Sequence, residues 1–175
     1  MKYNNESRTA KSNENKDKII EVALKLINEK GFDNVSVSEI TKEAGVSKGA
    51  FYIHFESKED LIEKQISMYF DDSKLEGDYS KYEKLEYFLI TSIKRIKKSG
   101  LKMCQVWFSH GVLGGFHGKT KLAYDLAYVK ELYNEEIAKE IVSIYYGALN
   151  LWCFTDGAIE VEEIVLNYIN KYKEK

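Results

Sequence analysis

Proline is absent from all 175 residues, so the commonest internal helix breaker is missing and long uninterrupted helices are free to form. Cysteine is scarce: Cys104 and Cys153 are the only two, each in an apolar setting, too few for a disulfide framework. Period-two alternation and clustered turn residues are also rare, which argues against a β-rich fold. No apolar run approaches the roughly 20 residues of a membrane span, and the polar start does not read as a signal peptide. A cytoplasmic protein with two buried free thiols is the expectation. Nor is there an excess of positive charge. The net charge is −2, so any nucleic-acid argument must rest on where individual residues fall. What remains is 44% hydrophobic and 31% charged, a composition able to bury a core in water.

Residues 1–15 are polar, mildly basic and without a periodic apolar face, and they read as a flexible tail. Ile20, Ala23, Leu24 and Ile27 then recur at helical spacing, and Gly31 stands where a left-handed cap would end a helix over 16–30. Ser36 and Glu39 have the spacing of a capping box, and Val35 and Ile40 that of a hydrophobic staple. This second helix stops at Gly45. A third short helix carries Lys48 to His54, and Ser57 caps a fourth that runs to about Asp72. Tyr82 to Ile96 marks a helix ending near Ser99, and Leu101 to Phe108 marks another. A glycine-rich loop covers Gly111 to Gly118. Apolar residues then continue at helical spacing to Thr155, with a break expected near Asn134. A last helix covers about 161–172. The fold class is all-α.

The second helix, the turn Ala44-Gly45-Val46-Ser47 and the third helix form a helix-turn-helix pattern. With Phe51 inward, Phe55 falls about 40° away on the same buried face at about 100° per residue. Gly49 and Ile53 then point outward, with Ala50 and Tyr52 on the shoulders. A water-facing helix usually carries charge there. Small and apolar groups suit close approach to a major groove and its thymine methyls. Lys48 stands in the first turn, a poor place for a cation unless a phosphate or guanine edge meets it. Tyr52 and His54 can donate to phosphates, Lys58 opens the next helix nearby, and Ser36 and Ser38 begin the second helix beside free backbone N–H groups. Phosphate contacts would position the protein while Gly49, Ala50 and Ile53 read bases.

The stretch from Ile19 to Leu61, with VSVSEITKEAGVSKGAFYIHFESKEDL at its heart, closely resembles the DNA-binding domain of the TetR family of transcription regulators. The resemblance implies DNA contacts at Lys48, Gly49, Ala50, Tyr52, Ile53, His54 and Lys58, and phosphate contacts at Ser36 and Ser38. It implies a head over 16–62, a regulatory and dimerising helical body over 63–175, and a homodimer on operator DNA. Dimerisation through the last two helices would use Ile141, Tyr145, Ala148, Trp152, Val165 and Tyr168. A small-molecule effector would lie among Tyr87, Trp107, His110, Tyr124 and Tyr128, although aromatics at helical spacing serve a core equally well. The implied function is a ligand-released repressor. The alternative is a DNA-anchored module whose body binds a protein.

Two other patterns carry less. The glycine loop follows a helix rather than a strand, so it lacks the setting of a dinucleotide site. His110 and His117 stand seven residues apart and make no tight pair on one helix face, so no metal or cofactor is expected. No catalytic constellation is evident, and enzyme activity is not expected.

Overall fold

The computed structural model describes residues 3–67, 77–112 and 118–173. The described residues form helices α1 (Tyr3–Lys30), α2 (Val37–Glu43), α3 (Lys48–His54), α4 (Lys58–Ser67) and α5 (Lys81–Ser99). They continue with α6 (Leu101–Val112), α7 (Gly118–Leu132), α8 (Glu135–Phe154), α9 (Val161–Ile169) and a 3-10 turn at Asn170–Tyr172. The all-α expectation holds. The expected end of the fourth helix at Asp72, His117 and the middle of the glycine loop lie outside the described residues.

The head assembles around one apolar cluster. Ile19, Ala23, Leu26 and Ile27 of α1 meet Phe32, Val35, Ile40, Phe51, Phe55, Leu61 and Ile62. Met103 and Trp107 of α6 complete this cluster, so the head's core is not closed by 16–62 alone. The side-chain amide of Asn28 adds a polar tie, donating to the Ser99 carbonyl at 3.0 Å. Helix α1 starts at Tyr3, not near Lys16 as the apolar stripe suggested, so much of the expected tail is helical. The reason is that hydrophobic periodicity reports which face is buried, not whether a chain is helical. Nothing in 3–15 breaks a helix, and Lys18 pairs with Glu14 one turn away at 2.7 Å.

Local capping follows the sequence with one exception. Ser36 Oγ accepts from the Glu39 N–H at 3.2 Å, and Val35 and Ile40 are buried as the staple requires. The Glu39 carboxylate, however, is taken by Lys30, whose ammonium holds its pKa below the ordinary range. The box is complete instead at Ser80 and Glu83, which open α5 with the same S-x-x-E spacing.

The body is a second cluster built from α5 through α9. Asn134 breaks the long apolar stretch and caps α8 by accepting from the Ile137 N–H at 3.0 Å. Ile141, Tyr145, Ala148 and Trp152 of α8 and Val165 of α9 are all buried within this cluster. That corrects the expected dimer surface, because side chains already covered by their own subunit cannot cover a second one. Tyr168 is half-buried, and its hydroxyl donates to Glu140.

Glu140 locks α8 to the end of the chain. It also accepts from the Lys171 ammonium and the Tyr172 hydroxyl, each at 2.7 Å. These donors, Lys171 first, hold its carboxyl at about 2 against an ordinary value of 4.5. A depressed carboxylate contributes stability that is present above the unfolded value and lost as pH falls through the folded one. Glu140→Gln should therefore lower the urea midpoint modestly at pH 7, as expected of an exposed pair. The gap to wild type should close between 4.5 and about 2, a window set by the same two values. A gap unchanged across that window would show that the charge contributes nothing.

Candidate nucleic-acid interface

The turn before α3 depends on a left-handed residue. Gly45 has φ +67°, where L side chains are strained, and its N–H donates to Lys42 O while Val46 N–H donates to Thr41 O. This tight reversal brings α3 across α2. Ser47 then caps α3, its Oγ accepting from the Ala50 N–H at 3.1 Å. Phe51 and Phe55 turn into the head core with ring centroids 5.4 Å apart. Those two anchors set the rotation of α3.

That rotation leaves the opposite face bare. Tyr52 is 57% exposed and Ile53 75%, while Lys48 and Gly49 are exposed and Ala50 and His54 half-exposed. A Cβ added at Gly49 would meet only Ser47 Oγ, at an ordinary 3.7 Å. The fold itself therefore does not require glycine there. Burying an isoleucine stabilises a protein by about 1.5–3 kcal/mol, and Ile53 forgoes that within its own subunit. Ser36 and Ser38 are exposed at the start of α2. Ser36 Oγ accepts a bond from its own helix, which leaves its hydroxyl proton free to donate.

Lys58 is placed differently from the expectation. Its ammonium turns inward to the Phe32 carbonyl at 2.5 Å and the Val35 carbonyl at 2.7 Å, lying 3.9 Å from the Phe32 ring centroid. Such a cation holds the α1–α2 connection and is engaged before any phosphate arrives. Lys64 serves the end of α3 in a similar way, donating to the His54 carbonyl at 3.1 Å while paired with Asp60. His54 itself shares a hydrogen bond with Ser12 of α1, Oγ to Nε2 3.3 Å, whose direction follows the imidazole tautomer.

Of the expected effector residues whose side chains are described, Trp107 and the pair Tyr124–Tyr128 fall in different packing groups. Tyr124 and Tyr128 stack with Phe88, the closest pair being Phe88–Tyr128 at 4.5 Å. Trp107 is instead part of the head core and stacks on Tyr146, centroids 5.9 Å apart. Tyr87 is half-buried on α5, and the His110 side chain lies outside the described residues. A feature the sequence reading missed sits between these groups. Asp125 is buried, bonded to Lys121 at 2.9 Å and accepting from the Tyr146 hydroxyl at 2.9 Å. Burial raises the Asp125 pKa in spite of the lysine. Tyr146 packs against both core clusters, so this polar knot touches the junction of body and head. Cys104 and Cys153 are both buried and free. Among the described residues, no helix is long and apolar enough to cross a membrane.

A three-helix head with a bare, small and apolar recognition helix, carried on a helical body, defines a helix-turn-helix protein of the DNA-binding class. Residues 19–64 match the family model described as bacterial regulatory proteins, tetR family. By this match the head is of the tetR type. That head is 55% identical over 53 residues to the uncharacterized HTH-type transcriptional regulator YuxN of Bacillus subtilis, covering 30% of this chain and 18% of that protein. It is 39% identical over 56 residues to IcaR of Staphylococcus aureus, a negative transcriptional regulator of the biofilm operon icaADBC, covering 32% of this chain and 30% of that protein. These matches thus span less than a third of the curated relatives. The whole fold is similar to a transcriptional regulator (TerR/AcrR family) from Aquifex aeolicus VF5, with TM-score 0.59 and 26% identity over 91% of this chain and 98% of that one. The fatty acid degradation regulator FadR from Bacillus halodurans shares the fold at TM-score 0.55 and 19% identity, over 89% of this chain and 93% of that one.

Proposed function

We propose that this protein is a sequence-specific, DNA-binding transcriptional repressor that acts as a homodimer and leaves its operator when a small molecule binds the body. The observation that carries the DNA-binding reading is the uncovered outer face of α3, where Gly49, Tyr52 and Ile53 find no partner core. Lys48, Tyr52 and His54 supply donors to phosphates and base edges, Ser36 and Ser38 hold the near phosphate strand, and Gly49, Ala50 and Ile53 read bases. Lys58 is left out of this set, because its ammonium is engaged by two backbone carbonyls. IcaR, whose head is similar, is a negative regulator, which favours repression.

For the dimer, the face of α8 turned away from the core carries Gly147, Leu151 and Phe154, all exposed. A second copy covering this strip by a two-fold axis would set two recognition helices roughly 34 Å apart, in successive major grooves. Release by an effector would act through α6, since Met103 and Trp107 sit in the head core while Cys104 sits in the body core.

The test of DNA reading uses a duplex selected by the wild type from a random-sequence pool. Lys48→Ala and Tyr52→Ala should each weaken its binding about tenfold or more in fluorescence anisotropy, with melting temperatures held. Wild-type affinity in both variants would refute the assignment. The effector reading predicts a saturable rise in melting temperature with at least one small apolar ligand. Stabilisation by none of a broad panel would remove it.

A further inference from the structure

The first four turns of α1 precede residues 19–64, the part that matches the family model, and they carry a charge pattern of their own. At about 100° per residue, Ile19 and Ala23 lie within about 20° of Ser12 around α1, and Lys16 about 40° from it. The stripe that is apolar over the head core therefore becomes polar one turn earlier, where Ser12, Asn15 and Lys16 are half-buried rather than free in solvent. The acids are sorted to the other side. Glu14, Asp17 and Glu21 fall about 140–200° from Ser12, and all three are exposed. Glu14 is in addition neutralised by Lys18 at 2.7 Å.

This acid-free face meets the recognition helix. Ser12 Oγ lies 3.3 Å from His54 Nε2, in the last turn of α3, next to the bare Ile53. A major groove about 12 Å wide puts a phosphate rim about 6 Å to either side of a helix that fills it. The polar face of α1, on which Lys16 is the cation among the described side chains, lies beside α3, where such a rim would run. Lys16 makes no ion pair among the described residues, so its charge is not consumed within the fold.

We propose that the N-terminal turns of α1, through Ser12, Asn15 and Lys16, form a second contact surface for duplex DNA. It grips the phosphate backbone that borders the groove filled by α3. This rests on the DNA-binding reading and adds to it a sequence-independent contact outside the helix-turn-helix. The bond between Ser12 and His54 makes the two surfaces one unit, so that α1 and α3 meet the duplex in fixed register.

The test measures the salt dependence of binding to a fluorescein-labelled mixed-sequence duplex of about 30 base pairs. Each phosphate contact adds about 0.9 to the slope of log K against log salt. Lys16→Gln should flatten the slope by about 0.9 per subunit, so that between about 50 and 200 mM salt a dimer loses roughly tenfold less affinity than wild type. Lys16→Arg should keep the wild-type slope. Lys25→Gln, on the opposite face of α1, should keep it too. Circular dichroism melts identical to wild type would confirm that the variants are folded. A Lys16→Gln slope equal to wild type overturns the second surface and leaves the recognition helix untouched. A wild type that binds no duplex at low salt overturns both readings.

Discussion

Gly49→Leu should leave the protein folded and as heat-stable as wild type, yet lower specific affinity at least about 100-fold, a loss of about 2.8 kcal/mol. Each half of that expectation has its own cause. In the free subunit a Cβ at position 49 meets only Ser47 Oγ at 3.7 Å, so the larger side chain has open space. Glycine within a helix costs up to about 1 kcal/mol relative to a good helix former, and leucine removes that cost. With α3 in a major groove, as proposed, the same space would be occupied by the groove floor. A leucine on the outward axis of α3 would hold the helix off the bases, so that Lys48 and Tyr52 no longer reach their partners. Tight binding by the leucine variant would mean that α3 does not approach DNA through this face.

The double variant Leu151→Asp/Phe154→Asp should be monomeric by analytical ultracentrifugation and should lose operator affinity by about two orders of magnitude or more. Phe154 is 83% exposed and Leu151 48%, side chains that a lone subunit leaves in water. Gly147 lies in the same strip, and a Cβ built there meets nothing within 4 Å, so a second helix can come close. A two-fold axis brings each residue in twice. Four such side chains, at about 1.5–3 kcal/mol each when fully buried, supply a substantial share of a stable dimer. Aspartates there remove that term and set like charges face to face. The head core lies elsewhere, so each monomer should melt cooperatively and bind one half-site weakly. A variant that remains dimeric would place the subunit contact on another face.

The head was legible in the sequence because each of its signals is local. Phe51, Phe55 and Ile53 separate on a helical wheel, and Gly45 marks the reversal by the conformation it alone adopts cheaply. The body was less legible. Helix α8 is apolar on two sides, and a wheel does not say which side meets its own subunit. The stripe Ile141, Tyr145, Ala148 and Trp152 is the longer one, and it turned out to be the internal one. Leu151 and Phe154 are fewer and face out. The hold on Lys58 was not legible for a different reason: the carbonyls that accept from it belong to Phe32 and Val35, more than twenty residues away in sequence. Lys121 and Asp125 are readable as an i,i+4 pair, but only packing against Tyr146 shows that the pair is buried.

The proposed function rests on the outer face of α3 entering a major groove. Dimethyl sulfate protection on the wild-type-selected duplex reads this directly, because the reagent attacks guanine N7 on the major-groove edge. Two protected patches about 10 base pairs apart and related by a dyad are expected, with both patches weakened in Lys48→Ala. Saturated binding that leaves every guanine N7 as reactive as in free DNA would contradict the account.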